Sequence, residues 1–412
     1  MIAESPPGSR FFPTLPRRRL AIGFMNAAHA LDHFVILIYP TLVIELEAVY
    51  RRPYSELIVL GTASFIAFGL FSLPAGWLAD RWSRRNMMLA FYWGCGLSLI
   101  GAALAPSLYA LAFALFMLGV FAAIYHPVGT ALILENASQR GRTLAFNGVC
   151  GNLGVALAAG ITAVLTAALS WRGAFLLPGV ICIGVGIAYV ALIPDESRRV
   201  VARSGAPDVA LSTAVAAAIF GLFIVVALSA GLVFNTFSVA LPKIVDERLS
   251  DVSLVAVGGL TTAVFLCGGV AQLAVGRLVE YFRPHILFAA LAVMQFSGVV
   301  WSAYARGPML VAALAFAMAA IYGQFTVNDL VIARYTADAW RGRVYALRYF
   351  FTFMTSGVAV SLLGILYGRG GFSLVLGTTA VVALGFLVAA LLIALLANGV
   401  EKAQAPRAVP AE

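Results

Sequence analysis

Long stretches without a single charge alternate along this chain with short, arginine-bearing joints. Residues 143–171, 209–242, 252–276 and 370–400 contain no Asp, Glu, Lys or Arg at all. Each exceeds the roughly 20 apolar residues that a helix needs to cross a bilayer. The pattern predicts twelve helices, over residues 20–43, 56–79, 86–104, 108–135, 143–168, 172–194, 211–241, 253–276, 285–305, 308–333, 344–367 and 373–398. The first is long, carries Asp32 and His33 and lacks a small-residue cleavage pattern, so it reads as a span and not as a cleaved leader.

Composition agrees and narrows the class. Of 412 residues, 62% are hydrophobic and only 11% charged, against about 25% charged in an average soluble domain. That apolar surplus cannot be hidden in a soluble core of this size. A secreted enzyme, a soluble nucleic-acid binder and a disordered tail protein are therefore excluded. The net charge of +9 reflects arginines at span ends, a topology signal, and no nucleic-acid partner is expected. Cys95, Cys150, Cys182 and Cys267 all lie inside apolar runs without a CxxC spacing, so they say little about redox compartment.

Arginine placement also orients the chain. Arg10, Arg17–Arg19, Arg81, Arg84, Arg85, Arg140, Arg142, Arg198, Arg199, Arg203, Arg277, Arg283, Arg341, Arg343, Lys402 and Arg407 all fall on the side of the N-terminus. By the positive-inside rule both termini are expected in the cytoplasm. The chain repeats itself as well: Gly76-Trp-Leu-Ala-Asp80-Arg81 has a degenerate counterpart at Gly276-Arg-Leu-Val-Glu280, and Arg140-Gly-Arg142 recurs as Arg341-Gly-Arg343. Two landmarks at nearly one offset imply two homologous halves of six helices. The expected division is a cytoplasmic segment 1–19, a first half 20–194, a linker 195–210, a second half 211–398 and a tail 399–412. Duplicated six-helix halves are transporter architecture, with binding expected at the midplane between them.

The sequence GWLADRWSRR at 76–85 resembles the signature loop between helices 2 and 3 of the major facilitator superfamily, with Ser83 in place of the usual second glycine. His29, Asp32, Tyr39 and Pro40 in helix 1, Tyr125-His126-Pro127 in helix 4 and the Asn147–Gly154 stretch in helix 5 are most similar to its fosmidomycin-resistance branch of drug–proton antiporters. The Gly-Pro pair of the antiporter pattern on helix 5 is missing. The resemblance implies an all-α membrane protein of twelve transmembrane helices in two pseudo-symmetric halves. It also implies a gating latch at Gly76, Asp80, Arg81, Arg84 and Arg85, and a central cavity lined by helices 1, 4, 7 and 10.

Ionisable residues at membrane depth are costly and are functional candidates by default. At 1.5 Å per residue, Asp32 lies about 20 Å beyond Arg19, His126 about 21 Å from Arg140 and Asp329 about 18 Å from Arg341. All three fall near the centre of the bilayer, and helix 7 adds Asn235. Asp32 is the first choice for proton coupling, because a carboxyl group in low dielectric can load and release a proton near physiological pH. A permanently paired structural acid is the bland alternative. His33, His126 and Asp329 are further coupling candidates, Asp329 being the one best placed to form a locked ion pair with Arg334 or Arg348. Candidate substrate contacts are Asp32, His126, Asn235, Tyr39, Tyr125, Tyr322, Phe325, Asp329 and Arg348. Arg348 stands at the repeat position of Asn147. Gly148, Gly151, Gly154 and Gly160 on helix 5 are expected to form a sliding interface between the halves.

The expected function is a secondary transporter moving a small organic solute by alternating access, with export against the proton gradient in front and uptake or facilitated passage of a small organic anion behind. A divalent-metal carrier using His29, Asp32 and His33, one face of helix 1, is a further alternative with His126 as a possible extra ligand. No metal site proper, no cofactor and no enzymatic motif is expected: the chain has no nucleophile elbow, zinc-ligand pattern or phosphate loop. The expected partners are the solute, protons and the lipid of a bacterial inner membrane, and the expected state is a monomer.

Overall fold

The computed structural model describes residues 15–194, 213–249, 251–335 and 338–404. They form thirteen helices: α1 (Leu15–Tyr50), α2 (Tyr54–Leu60), α3 (Thr62–Arg81), α4 (Arg84–Ala103), α5 (Leu108–Ala122), α6 (Tyr125–Asn136), α7 (Arg140–Ala168), α8 (Trp171–Leu192), α9 (Thr213–Arg248), α10 (Leu254–Leu278), α11 (Pro284–Tyr304), α12 (Pro308–Tyr335) and α13 (Asp338–Gln404). Joints are short and carry hydroxyl caps where a helix begins. Ser83, Ser107, Ser170 and Ser253 each accept the backbone N–H three residues on, at 3.2 Å, satisfying a donor that the first turn would otherwise leave open. The linker expected at 195–210 lies outside the described residues.

Among the described residues, eleven stretches are long and apolar enough to cross a membrane. The last, Phe350–Gly399, has 50 residues, or about 75 Å of helix, more than twice a hydrocarbon core. It is broken at Gly370 and Gly371, the latter at φ 59°, a left-handed conformation that glycine adopts without penalty. Two spans therefore meet there, and the bundle has the twelve crossings and two six-helix halves that the sequence predicts. Outward-facing Leu70, Leu73, Leu97, Phe113, Val270, Leu273, Val381 and Leu395 are exposed, as lipid contact requires.

Two spans predicted as continuous are interrupted. The second divides at Gly61, where α2 passes into α3; a Cβ there would stand 3.1 Å from the Tyr39 ring. The fourth divides at Ala123–Ile124. Pro127 has no N–H to give the Ala123 carbonyl, so the helical ladder fails at that point. The predicted ends also move. α1 begins at Leu15 and runs to Tyr50, and α9 runs to Arg248, because the polar residues at those ends pair with one another: Glu47 with Lys243, and Lys243 with Asp246.

The halves touch along α3 with α13 and along α7 with α10. Ser356 donates to the Phe65 carbonyl at 3.2 Å, and Gly357 lies against Ile66. Asn152 donates to Gln272 at 2.6 Å, and Gly160 packs on Thr262 and Gly258. Of the helix-5 glycines, only Gly160 meets the other half. Gly151 and Gly154 instead press on His29 and Ala30 of α1, and Gly148 has nothing within 4 Å.

Candidate functional site

The broken fourth span and the middle of α1 build one polar cluster. His29, Asp32 and His33 occupy successive turns of one α1 face, and the first residues of α6 place Tyr125 and His126 against them. The ring centroids of His29 and His33 stand 5.0 Å apart, His29 and His126 5.4 Å, and His33 and His126 5.3 Å. Tyr125 stacks on His29 at 4.7 Å and 26°. Phe68 of α3 meets His126 edge-on at 5.8 Å.

Asp32 is wholly buried behind these rings. Among the described residues neither carboxylate oxygen has a hydrogen-bond partner, although His126 Nε2 comes to 3.4 Å from Oδ2. An isolated buried carboxylate is among the most costly groups a protein can hold in its charged form. His126, by contrast, keeps 22% of its side chain exposed, so the cluster opens on that side.

Asn147 of α7 organises the cluster from behind. Its side-chain oxygen accepts from Tyr125 Oη at 2.9 Å and from His29 Nδ1 at 3.0 Å, and its backbone carbonyl lies 2.8 Å from the same Nδ1. Its amide donates to the Met25 carbonyl and to Asn26 at 3.3 and 3.0 Å. A carbonyl only accepts, so Nδ1 of His29 carries the proton and Nε2 of the neutral ring keeps its lone pair. Gly151 leaves the space the His29 ring fills: a Cβ there would be 2.5 Å from Nε2.

The sequence singled out His29 as a resemblance residue and a metal candidate and Asn147 as the start of a resembling small-residue stretch, and gave neither a place among the solute contacts. The one available signal was an asparagine at membrane depth matched in the repeat by Arg348. The third metal ligand considered at the sequence level is in place, since donor atoms of His29, His33 and His126 lie within 4.8 Å of one another. Nδ1 of His29 is committed to Asn147, which leaves Nε2, with its lone pair, as the ring's remaining acceptor or ligand atom.

The remaining candidates are dispersed. Tyr39 is buried and donates its hydroxyl to the Leu57 carbonyl, which ties α1 to α2 and takes it out of the cluster. Asn235 donates to the Gly231 carbonyl at 2.8 Å and to that of Thr352 at 3.5 Å, an α9–α13 tie. Tyr322 and Phe325 of α12 join Phe234 of α9 in a second, aromatic cluster, with centroids 5.2 Å (Phe234–Phe325), 5.7 Å (Tyr322–Phe325) and 6.1 Å (Phe234–Tyr322) apart. Sequence reasoning did not name Phe234. The side chains of Asp329, Arg334 and Arg348 lie outside the described residues.

The signature-loop residues pack as a block. Gly76 lets α3 approach Pro127, whose Cβ would be 3.2 Å from an added Cβ. Arg84 pairs with Asp80 at 2.7 Å and with Glu135 of α6. Arg85 donates to the carbonyls of Val190 and Ile193 at 2.7 and 2.9 Å, and Arg81 lies 4.0 Å over the Trp77 ring. These partners all belong to the first half, and the latch between halves implied by the resemblance is not among these contacts.

Comparison with known proteins fits this architecture. The family model described as Major Facilitator Superfamily matches residues 22–260. The chain is 26% identical over 145 residues to the 4-hydroxybenzoate transporter PcaK of Pseudomonas aeruginosa, 35% of this chain and 32% of that protein. It is 35% identical over 121 residues to the inner membrane metabolite transport protein YdjE of Escherichia coli, covering 28% and 27% of the two chains. It is 28% identical over 137 residues to a probable L-galactonate transporter of Escherichia coli, covering 32% and 30%. These matches span about a third of each relative's length. In fold the chain resembles a bacterial homolog of the human lysosomal transporter Spinster in an inward-facing, occupied conformation. The TM-score is 0.75 at 12% identity, over 95% of this chain and 99% of that one. It also resembles the D-xylose–proton symporter, with TM-score 0.71 at 15% identity over 92% and 97%.

Proposed function

The chain belongs to the Major Facilitator Superfamily, and from that premise we propose that it carries a small organic solute across a bacterial inner membrane by alternating access, coupled to protons through Asp32. The observation that carries the coupling is the Asp32 carboxyl group, buried with no hydrogen-bond partner among the described residues, beside a histidine that is itself partly exposed. Protonation removes the cost of holding that group charged. A proton arriving from water on the open side past His126 binds one carboxylate oxygen. When the halves rock, the same proton leaves to water on the other side, and solute competes for or shares the space.

Among the described residues, the titratable groups around Asp32 are His29 and His33 on its own helix, His126 and Tyr125 from α6, and Cys95 from α4. None of these described groups is a fixed cation, which supports the proton as the counter-charge. Export follows the resemblance of the helix 1, 4 and 5 motifs to drug–proton antiporters. A second reading, uptake of a small organic acid, draws on the relatives named as a 4-hydroxybenzoate transporter and a probable L-galactonate transporter. In both readings the halves divide near residues 195–210, and the 76–85 loop and its partners work as one gate element.

Solute-induced proton flux in proteoliposomes tests this, using phosphonates, lipophilic cations, organic acids and divalent metals. Proton movement with one class, lost in Asp32→Asn, is the expected result. Solute movement without protons, unchanged in Asp32→Asn, sinks the coupling role. A response confined to divalent metals moves the cargo to the histidines, and the sign of the proton flux separates export from uptake.

A further inference from the structure

Three of the chain's 4 histidines converge on one point. The HxxDH string of α1 lacks a ligand from a second element until the break ahead of Tyr125 brings His126 against it. One ring nitrogen from each of His29, His33 and His126 then lies within 4.8 Å of the other two, and Asp32 Oδ2 stands 3.4 Å from His126 Nε2. Around a tetrahedral ion with bonds of about 2.0–2.1 Å, neighbouring ligand atoms stand about 3.4 Å apart. The Asp32–His126 pair already has that spacing, and small ring rotations bring the remaining nitrogens to it.

His29 is held as a metal-bound histidine is held. Its Nδ1–H is given to the Asn147 carbonyl at 2.8 Å, the outer partner that fixes the tautomer and aims the other nitrogen at an ion. Tyr125 stacks on one face of the ring. A Cβ on Gly151 would stand 2.5 Å from Nε2, 2.6 Å from Cε1 and 2.7 Å from Cδ2, three near-equal distances that set Gly151 over a ring face. Clamped at Nδ1 and across its faces, the ring offers Nε2. Asp32 adds a second, independent observation: wholly buried beside these rings, its carboxylate has no hydrogen-bond partner among the described residues. A dication there supplies a charge partner for it.

We infer that the cluster binds one divalent transition-metal ion, Zn²⁺ foremost, through Nε2 of His29, one nitrogen each of His33 and His126, and the Asp32 carboxylate. Such a site goes beyond the transport reading, since it takes its ion whatever solute crosses. Three imidazoles and one carboxylate suit Zn²⁺, Co²⁺ and their neighbours, whereas Mg²⁺ and Ca²⁺ demand oxygen shells. The ion enters past His126, whose side chain keeps 22% of its surface exposed.

The test is calorimetric titration of the tag-free, full-length chain in detergent with Zn²⁺, Co²⁺ and Mg²⁺. One Zn²⁺ per chain and no saturable Mg²⁺ binding are expected. Asn147→Ala should weaken Zn²⁺ about 10- to 100-fold, the range for loss of an outer partner, and His33→Gln and His126→Gln should each weaken it further. His285→Gln, which alters the histidine that pairs with Asn398, should leave the affinity unchanged. Thermal melts establish that each variant is folded. Bound Co²⁺ in the unaltered chain should show the intense visible absorption of a four-coordinate ion. No saturable Zn²⁺ binding up to about 1 mM, Mg²⁺ bound as tightly, a six-coordinate Co²⁺ spectrum, or an affinity that survives both glutamine variants overturns the site. Proton flux in proteoliposomes separates the two proposals. Zn²⁺ binding without solute-driven proton flux sinks the coupling and leaves the site standing, whereas proton-coupled solute movement in a chain that binds no Zn²⁺ does the reverse.

Discussion

Lys243 of α9 reaches across the division between the halves to Glu47 of α1, its Nζ 2.5 Å from Oε2, and holds Asp246 of its own helix at 2.9 Å. Glu47 also accepts the Tyr54 backbone N–H at 3.0 Å. These contacts lie on the face opposite the termini, the same face on which α3 meets α13 through Ser356, Ser361 and their partners. A charged clamp there ties the two halves together on that side. Lys243→Met should leave two acids without their cation at a site only 12% exposed. The expected cost is about 1–3 kcal/mol, read as a lower melting temperature and as faster labelling of a cysteine introduced at Ser361. The double variant Glu47→Gln with Lys243→Met should cost less than the sum of the two single variants, and additive costs would show that the two residues are not coupled.

Asn147 holds two side chains of the polar cluster without facing the open side itself. Hydrogen bonds inside membrane bundles average about 0.6 kcal/mol each, so Asn147→Ala, which releases Tyr125 and His29 and the amide's own bonds, should cost about 2 kcal/mol. If it acts by positioning His29, the solute KM should rise about tenfold while proton coupling per solute stays intact. A kcat loss with unchanged KM would contradict that role.

Asp32→Asn keeps the shape of the buried side chain and removes its ability to take up a proton. Transport by the wild type should vary with pH, and the variant should be flat across the same range. A pH profile that persists in Asp32→Asn would assign the titration to another group, with His126→Gln the next variant to measure.

The twelve spans were legible because lipid tolerates so few alternatives: a charge-free run longer than a bilayer is thick has to be a helix. The HxxDH string was legible for the same reason, since histidine and aspartate are rare at that depth. What could not be read was how side chains choose partners. Tyr39 looks like a cavity residue until its hydroxyl is seen on the Leu57 carbonyl. Asn147 sits among glycines and reads as packing, although its side chain joins α1, α6 and α7. The break ahead of Tyr125 has a sequence cause in Pro127, yet Pro40, Pro74 and Pro178 sit inside unbroken helices. A proline therefore marks a weak point without saying whether neighbouring helices will open it.

Gly148 and Gly154 lie on one helix within two turns of each other and should respond to the same substitution with opposite signs. A Cβ at Gly154 would strike the Ala30 carbonyl of α1, whereas one at Gly148 meets nothing within 4 Å. In a helix interior alanine is favoured over glycine by about 0.8–1 kcal/mol, so Gly148→Ala should leave the protein as stable or slightly more so. Gly154→Ala gains the same propensity but must push α1 off α7, and overpacking of this kind costs about 1–3 kcal/mol. The displaced stretch of α1 carries His29 and Asp32, so the strain falls on the polar cluster as well as on the fold. Gly154→Ala should therefore lower the melting temperature and weaken solute binding together. Equal melting temperatures for the two variants would mean that α1 and α7 are not held in the close contact that places the cluster.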